Sequence, residues 1–391
     1  MYAGLALLCF LHGGATLQQL SFKDDQGITE ASAAGNRLVP DWTGLTVEAA
    51  HLGGATQSVF KLTCRERPGE VYCARLLKGE AKSRDKLIAT SIALAELGLG
   101  PAVIGADDRA LVQEFLQGGH PSPAAYNEPA AAAHLGQFVA ALHSVPINPY
   151  ASEEKKARHE DLVGFAEFLE QIGAFEYDGL DHSAVHAELG RLEEELRPLK
   201  QEKHATHIVW THGDLHWENM IESTDPDGNA VLRVIDLDTA GPRPAVTDIA
   251  YLFMHWELKI KKGISIEVRR SFAQAYLESL GFQYHEAAVD EMLWAVECEQ
   301  PAQVAWFSFL LMMLTTFWSK GNPHAKRLAL KKMAGIKKMF DAVGLARVAL
   351  VGAKDDPEMR LHIIRHGATQ IALHLHSPWI RLLAKVLGRR W

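Results

Sequence analysis

Three oxygen-bearing side chains have the chemistry and the spacing of a phosphoryl-transfer site. The stretch HGDLHWEN begins at His212 and contains Asp214 and Asn219. Two β-rich runs flank the turn sequence DPDGN, and the second run ends at Asp236. Asn219 and Asp236 are equally far from the centre of that turn, so antiparallel pairing would bring them to the same end of a hairpin, beside Asp214. Carboxylate and amide oxygens are the hard ligands that suit Mg²⁺.

These groups have separable roles in such a reaction. One carboxylate orients the attacking hydroxyl and accepts its proton, while the amide and the second carboxylate hold metal on nucleotide phosphates. The spacing HxDxxxxN, followed by a hairpin and an Asp, matches the arrangement of residues in the protein-kinase catalytic loop, with Gly213 where protein kinases have Arg. The alternative is structural: His212 packs, Asp214 caps a turn and Asp236 ends a strand. The hairpin and the upstream region favour catalysis.

The elements around this motif divide into two regions. Before residue 116 the pattern is that of a small antiparallel sheet with one helix over residues 83–97. From residue 129 to about residue 344 it is mostly helical, apart from the β-rich interruption over 208–235. The sequence therefore predicts an α+β, two-lobed fold with a small antiparallel-sheet N-lobe and a large, mostly helical C-lobe. The strand-like runs of the N-lobe cover residues 45–52, 58–63, 71–77 and 110–116.

The small lobe has features suited to a nucleotide. Gly53 and Gly54 lie between two strands, where they would let the backbone approach phosphates; a plain tight turn is the alternative. Arg75 lies inside an apolar strand, where a phosphate-binding cation belongs, although a strand Arg also often points to solvent. The sequence contains no GxxxxGK[ST], GxGxxG or GxSxG, so the P-loop, Rossmann and serine-hydrolase interpretations lose their main support.

The HGDLHxxN motif, the hairpin to Asp236 and the triplet Asp248-Ile249-Ala250 resemble the aminoglycoside phosphotransferase and choline/ethanolamine kinase superfamily. The resemblance runs from about Val39 to Trp318. It implies a protein-kinase-like fold and transfer of the γ-phosphate of ATP, with Mg²⁺, to a hydroxyl of a small molecule. Choline or ethanolamine is the leading acceptor. The alternatives are an aminoglycoside-type or other small-alcohol kinase, or a catalytically inactive kinase fold that serves as a binding or scaffold protein.

The resemblance also implies roles for individual residues. Asp214 would be the catalytic base and His212 a scaffold residue of the catalytic loop. Asn219 and Asp236 would bind Mg²⁺, and Asp248 would brace the loop. Glu114 and Leu116 would offer backbone groups to adenine. The implied nucleotide-binding set comprises Gly53, Gly54, Ala55, Thr56, Arg75, Glu114 and Leu116.

Two departures from the family pattern concern the strand cation and the acceptor. The helical Glu that pairs with the strand cation falls near Leu87. Choline kinases have a Glu before a Trp in the helix after Asp248, where this chain has His255-Trp256, followed by Glu257. Trp256 and Trp318 are candidates for cation–π contact with an amine, with core packing as the alternative for each. Glu257 is a candidate to neutralise the amine, with solvation as its alternative.

The two ends of the chain have unusual compositions. The net charge is −8, which argues against a nucleic-acid partner, but residues 360–391 contain six Lys or Arg and no acid. A basic amphipathic tail predicts either peripheral contact with anionic membrane or docking on the acidic body. Within that tail, RHG follows an apolar run that looks like the opening strand of a histidine phosphatase, but too little chain follows for such a domain.

The N-terminal apolar run lacks a basic n-region, so a packing segment is favoured over a cleaved leader. Four cysteines in so long a chain favour a reducing compartment, and a cytoplasmic location is expected. The sequence carries no signal for an oligomeric state. The predicted divisions are an N-terminal extension (1–39), a nucleotide-binding N-lobe (40–116), a catalytic and acceptor-binding C-lobe (117–345) and a basic tail (346–391).

Overall fold

A computed structural model describes most of both predicted lobes. Four of the predicted site residues, Gly54, Ala55, Thr56 and Trp318, lie outside the described residues, as do the N-terminal apolar run and the basic segment after residue 364. The described residues are 25–53, 59–77, 79–146, 208–225, 227–260, 263–282, 285–300, 303, 352 and 356–364.

The N-lobe is a five-stranded antiparallel sheet in the order β1-β2-β3-β5-β4. In β2, Phe60, Leu62 and Cys64 are buried and the residues between them are half-buried, as expected for a strand with one face on a core. The strands are β1 (Val47–Gly53), β2 (Val59–Cys64), β3 (Arg67–Leu76), β4 (Val103–Ala106) and β5 (Ala110–Glu114). The strand-like runs over 58–63 and 71–77 predict that the residues between them, including 65–70, form a turn, and no strand is predicted at 103–106.

The turn between β2 and β3 is shorter than predicted because Cys64 already pairs with Arg67. The carboxylate of Glu66 accepts hydrogen bonds from the backbone and hydroxyl of Thr46 at 2.9 and 2.7 Å, which ties this turn to the start of β1. The structure therefore places residues 67–70 in β3.

Two helices flank the sheet. Helix α1 (Asp25–Leu38) lies in the stretch predicted as an N-terminal extension, and its Ala31 and Ala34 are fully buried in the core of the sheet, together with Trp42. Small side chains on this face let the helix backbone approach the strands closely. Helix α2 (Ala81–Glu96) buries Leu87 and Leu94 in the larger core of the molecule.

The C-lobe combines helices with two two-stranded sheets, β6 (Ile208–Thr211) with β9 (Gly241–Pro244) and β7 (Met220–Thr224) with β8 (Ala230–Val234). Helices α3 (Pro129–His143) and α5 (Ile266–Ser279) pack so closely that a Cβ at Gly136 would lie 2.3 Å from the carbonyl oxygen of Phe272, so only glycine fits there. The described elements are α3 (Pro129–His143), β6 (Ile208–Thr211), β7 (Met220–Thr224), β8 (Ala230–Val234), β9 (Gly241–Pro244), α4 (Ala245–Lys259), α5 (Ile266–Ser279) and helical residues 286–300 and 357–364. This is the predicted α+β, two-lobed arrangement.

The β7–β8 hairpin is attached to the N-lobe. Nη1 of Arg233 lies 2.9 and 3.1 Å from the two carboxylate oxygens of Glu114, at the end of β5. The backbone N–H of Val234 donates to the carbonyl of Leu99 at 2.8 Å. These contacts fix the hairpin, and hence the side chains at its end, relative to the small sheet.

The start of the predicted tail docks on the C-lobe. Nε of Arg360 lies 2.6 Å from Oε2 of Glu297, and both side chains are buried. Ile364 packs with Trp294 and Cys298, and the guanidinium of Arg360 lies over the Trp294 ring. Residues 357–364 are helical, so the apolar run before RHG is not a strand, and RHG itself (365–367) lies outside the described residues.

None of the described helices is both long enough and apolar enough to cross a membrane.

Candidate active site

The hairpin brings Asn219 next to Asp236, with a register that differs from the predicted one by one residue. Met220 pairs with Val234, and the N–H of Ile235 donates to the carbonyl of Asn219 at 3.0 Å. Asn219 therefore lies opposite Ile235 instead of Asp236. Asp236 follows with φ 62° and ψ 66°, a left-handed conformation in which Asp is better tolerated than most residues.

Asp214 and Asn219 are in direct contact. The amide nitrogen of Asn219 donates to the backbone carbonyl of Asp214 at 2.9 Å and to its Oδ2 at 3.1 Å. This contact orients the amide so that its oxygen faces the other way. Oδ1 of Asp214 is buried and has no hydrogen-bond partner among the described residues. A buried carboxylate oxygen without a partner is costly unless a ligand or solvent supplies a donor.

Asp248 holds the backbone of the loop that leads into Asp214. It lies in the first turn of α4, is 1% exposed, and accepts hydrogen bonds from the N–H groups of His212 and Gly213 at 2.7 and 2.8 Å. His143 lies 3.4 Å from the same carboxylate and 2.7 Å from the Tyr276 hydroxyl. Despite burial, these donors keep the pKa of Asp248 below its ordinary value.

His212 is a buried scaffold in this geometry. Its Nε2 lies 2.8 Å from the carbonyl oxygen of Ile235, and its own carbonyl accepts from the hydroxyl of Thr239 at 3.0 Å. The ring thus joins the catalytic loop to the end of β8, beside Asp236. No described contact places it in the open cleft.

Arg75 reaches across from the sheet to the hairpin end. Its guanidinium donates to Oδ1 of Asp236 at 2.9 Å and to Oδ1 of Asp238 at 2.8 Å. The two carboxylates raise the pKa of Arg75 in spite of its burial. Leu87, at the position of the family's helical Glu, is buried in the core. The structure therefore gives the strand cation a partner from the other lobe, Asp238, which sequence reasoning missed.

A second group missed by sequence reasoning lies beneath Asp214. Nε2 of His216 is 3.7 Å from Oδ2 of Asp214, and Nδ1 of His216 is 2.9 Å from Oε2 of Glu218. Lys259 on α4 completes the group, at 2.9 Å from Oε1 of Glu218. Burial lowers the pKa of His216, but the two carboxylates outweigh it and raise the pKa to about 9. The only sequence signal is the His within HGDLHWEN.

The described nucleotide-side residues lie on or after different strands of the sheet. Gly53 ends β1 opposite Val59, at the start of β2. Glu114 ends β5, where its N–H donates to the carbonyl of Ala102 and its carboxylate is engaged by Arg233. Leu116 follows two residues later, half-buried in an irregular segment. Their assignment to adenine and phosphates stays a prediction.

The predicted acceptor residues are engaged in internal contacts. Trp256 is 0% exposed; its ring packs on Trp217 and Phe253, and its indole N–H donates to the Pro123 carbonyl at 3.0 Å. These are the surroundings of a core residue, which is the alternative that the sequence left open.

Glu257 is likewise engaged, since it accepts from the buried Arg269 at 2.7 Å. Its carboxylate therefore already has a cationic partner within the protein. The described contacts of Trp256 and Glu257 give neither residue an open face toward an amine.

The donor set at the hairpin end fits a divalent ion bound together with phosphates. Mg²⁺ in nucleotide sites is held by one or two carboxylates while water and phosphate oxygens fill the remaining positions. Asp236 and the amide oxygen of Asn219 would supply such ligands. Among the described residues, no group of three or more His, Cys, Asp or Glu side chains could hold a metal by itself.

Comparison with known proteins identifies the family. A family model described as the phosphotransferase enzyme family (APH) matches residues 49–289. "Probable choline kinase 3" of Arabidopsis thaliana is 26% identical over 278 residues, which are 66% of this chain and 77% of that protein. "Probable ethanolamine kinase" of Nematostella vectensis is 27% identical over 201 residues, 50% of this chain and 55% of that protein. The chain thus spans little more than half the length of the second relative.

A solved structure shares the fold. The ethanolamine kinase of Plasmodium vivax superposes with a TM-score of 0.55 at 16% identity, over 76% of this chain and 83% of that one. The kinase-like, two-lobed fold and the resemblance inferred from the HGDLHxxN motif are both confirmed. Because the family model covers more than half of the chain, this protein belongs to the phosphotransferase enzyme family.

Proposed function

We propose that the protein is a small-molecule kinase that transfers the γ-phosphate of MgATP to a hydroxyl group. The observation that carries this proposal is the convergence of Asp214, Asn219 and Asp236 at one end of the β7–β8 hairpin. Family membership supports the same reaction class.

In the proposed reaction, the acceptor hydroxyl lies beside Oδ1 of Asp214, the buried oxygen that has no described partner. The hydroxyl oxygen attacks the γ-phosphorus, its proton passes to Asp214, and the bond between the γ-phosphorus and the β,γ-bridging oxygen breaks with its electron pair leaving on ADP. Asn219 keeps the carboxylate in place through its amide N–H. Mg²⁺, held by Asn219 and Asp236, would neutralise charge on the phosphates.

Arg75 would supply the cation for the phosphates. In the structure it is bound to Asp236 and Asp238, so nucleotide binding would exchange the contact with Asp236 for phosphate oxygens. Asp236 then becomes available to the metal, while Asp238 keeps the guanidinium in position.

The proposed acceptor class is an amino alcohol, with choline and ethanolamine as the first candidates. The names of the two sequence relatives support this choice, as does the excess of acidic residues in the chain before residue 360. Trp256 and Glu257 do not support it, because their described contacts are internal. An aminoglycoside or another small alcohol is the alternative within the same reaction class.

The decisive experiment measures ADP release and phosphorylated product with MgATP and a panel of choline, ethanolamine, an aminoglycoside and amine-free alcohols. We expect turnover with at least one hydroxyl acceptor and a loss of about 1,000-fold in kcat for Asp214→Asn. Asp227→Asn is the matched control, since Asp227 is exposed in the turn of the same hairpin. Full activity of Asp214→Asn would contradict the assignment of the base. Binding of MgATP without turnover of any acceptor would favour the scaffold alternative.

A further inference from the structure

We propose that Arg233 and Glu222, on the β7–β8 hairpin, are positioning residues for the nucleotide base. They hold the connector, defined as residues 115–128 between β5 and α3, against the hairpin that ends at the candidate catalytic residues. This inference rests on the proposed function, because the backbone groups proposed to meet adenine are those of Glu114 and Leu116, where β5 passes into the connector. Neither positioning residue has a role in the reaction proposed above.

The first contact fixes the end of β5. Nη1 of Arg233 lies 2.9 and 3.1 Å from the two carboxylate oxygens of Glu114, and Oε2 of Glu114 also accepts from the backbone N–H of Ala102 at 3.2 Å. Glu114 is therefore held on one side by the residue that precedes β4 and on the other side by the hairpin. Because the side chains of Arg233 and Glu114 are 28% and 39% exposed, we expect this pair to orient the end of the strand more than it stabilises the fold.

The middle of the connector lies along β7 as a short additional strand. Gly119 and Glu222 form an antiparallel bridge, in which the N–H of Glu222 donates to the carbonyl of Gly119 at 2.8 Å and the N–H of Gly119 donates to the carbonyl of Glu222 at 3.1 Å. Gly118 allows this approach, since its φ is +152° and a Cβ there would lie 2.2 Å from the carbonyl oxygen of Glu222. Nδ1 of His120 lies 3.1 Å from the carbonyl oxygen of Met220. The connector is thus bonded to two residues near the start of β7.

The later part of the connector is held by Tyr126. Its hydroxyl donates to Oε2 of Glu222 at 2.6 Å, and the residue is only 5% exposed. Its ring packs against Trp217, with ring centroids 5.6 Å apart. Trp256 on α4 donates its indole N–H to the carbonyl of Pro123 at 3.0 Å, in the same part of the connector. Glu222 therefore binds the connector twice, through its backbone in the bridge and through its carboxylate at Tyr126.

The same hairpin carries the groups proposed to act on the phosphates. Glu222 follows Asn219 by three positions, and Arg233 precedes Asp236 by three positions, on neighbouring cross-strand pairs of the hairpin. One short two-stranded unit therefore contacts both the proposed base side and the proposed phosphate side, which fixes the distance between them. Without Arg233, we expect the base to lose its aligned backbone groups while the phosphate contacts remain. A role in folding alone would weaken both sides alike.

Isothermal titration calorimetry of the full-length protein separates these two roles. The probes are MgADP, which has a base, and magnesium tripolyphosphate, which has only phosphates. We expect Arg233→Met to raise Kd for MgADP about tenfold and Kd for tripolyphosphate by less than about twofold. Arg65→Met is the matched control, since Arg65 forms an exposed ion pair with Glu48 in the N-lobe, and it should bind both probes as wild type does. Wild-type affinity of Arg233→Met for MgADP, or equal weakening of both probes, would overturn the inference and leave the proposed function standing.

Double-mutant cycles test whether the two side-chain pairs carry the effect. Glu114→Met removes the partner of Arg233 and keeps its own backbone groups, so the variant with both substitutions should lose about tenfold in affinity for MgADP, as each single variant does, instead of about a hundredfold. Tyr126→Phe and Glu222→Met form the second cycle, in which each should raise Kd for MgADP about threefold without further loss in combination. Additive losses in either cycle would overturn the role of that pair. Tyr126→Phe also serves as the test if a larger change prevents folding.

Steady-state kinetics extends the test to the reaction. In Arg233→Met we expect KM for MgATP to rise about tenfold, with kcat and KM for the acceptor changed by less than about twofold, because the reacting groups stay in place. A loss that falls on kcat instead of on KM for MgATP would overturn the inference. If no acceptor is phosphorylated, the proposed function fails, while a selective loss of MgADP affinity in Arg233→Met would still support the inference. A wild-type protein that binds no MgADP would overturn both.

Discussion

Nη1 of Arg75 and Oδ1 of Asp238 lie 2.8 Å apart, so a cation on the N-lobe sheet is paired with a carboxylate from the segment after the β7–β8 hairpin. The Asp238 side chain is 5% exposed and that of Arg75 13%, which makes this a largely desolvated ion pair. Leu87 occupies the position of the helical Glu that pairs with the strand cation in related kinases, and it is buried among apolar side chains. In this protein the cation is therefore paired with a residue of the large lobe instead of one of the small lobe.

Substitution of Asp238 by Asn is expected to weaken nucleotide binding. Without this carboxylate, Arg75 keeps only Asp236, which is a ligand of the proposed metal site, so the cation would lose its fixed position. We expect KM for MgATP to rise about tenfold, equivalent to ~1.4 kcal/mol, with a smaller effect on KM for the acceptor. Asp107→Asn is the control, because Asp107 forms an Asp–Arg pair with Arg37 in the same lobe. An unchanged KM for MgATP would argue against the pairing.

Replacement of Leu87 by Glu is not expected to restore the family's ion pair. Leu87 is 7% exposed and packs in the main core, so a carboxylate there would be desolvated without a described partner. We expect a loss of about 2–4 kcal/mol in the free energy of unfolding, measured in urea. A neutral or stabilising effect would indicate that the introduced carboxylate reaches Arg75 after all. Ile92→Glu on the same helix is the control, since Ile92 is 40% exposed.

The separation of the site residues along the chain decided which of their contacts the sequence could predict. Asp214, Asn219 and Asp236 lie within one loop and hairpin, so their proximity follows from local pairing, and the shift of one residue in register does not separate them. Arg75 and Asp238 are 163 positions apart and meet only because the lobes pack together. Long-range contacts of this kind leave no periodic signal in the chain.

The burial of individual side chains also could not be predicted from their residue types. Trp256 lies where choline kinases have the Trp of their Glu-Trp pair, yet its neighbours enclose it completely. This burial depends on the packing of the Trp256 ring against Trp217 and Phe253. Glu297 is a charged helix residue, yet it is 3% exposed and paired with Arg360. A helical pattern predicts which residues share a face and does not predict what covers that face.

Gly213 is expected to tolerate no side chain. Its φ is +78°, and a Cβ there would lie 2.5 Å from the carbonyl oxygen of Thr239 and 2.1 Å from Nη1 of Arg243. Gly228, with φ +88° and nothing within 4 Å, is the matched control for backbone strain alone. We expect Gly228→Ala to cost about 1 kcal/mol, and Gly213→Ala at least ~1 kcal/mol more with a loss of kcat. Equal unfolding free energies for the two variants would contradict the close contact.

Removal of the Arg360 side chain tests the docked tail helix. Arg360→Ala leaves the buried carboxylate of Glu297 with Arg269 at 3.8 Å as its described cationic neighbour. We expect a loss of about 2–4 kcal/mol in urea unfolding. Met359→Ala, at an exposed neighbouring position, should change stability by less than about 0.5 kcal/mol. If the two variants unfold alike, the ion pair does not hold this helix on the lobe.

The cluster of His216, Glu218 and His255 is expected to make its largest contribution to the stability of the protein near pH 6.5. The pKa of His216 is raised from 6.5 to about 9, so its contribution is complete below pH 6.5 and is lost as the pH rises toward 9. The pKa of His255 is lowered, so the unfolded state takes up its proton first and stability falls as the pH drops below 6.5. The lowered pKa of Glu218 adds a further loss below pH 4.5.

Urea unfolding between pH 4 and pH 9.5 measures this dependence. In His216→Gln the decline between pH 6.5 and 9 should be reduced, because the variant lacks the group that loses its proton in this range. His134→Gln, an exposed histidine, should keep the wild-type curve. A decline above pH 6.5 that is the same in wild type and His216→Gln would show that His216 does not gain its charge on folding, because the raised pKa requires the folded state to bind this proton more tightly than the unfolded chain does.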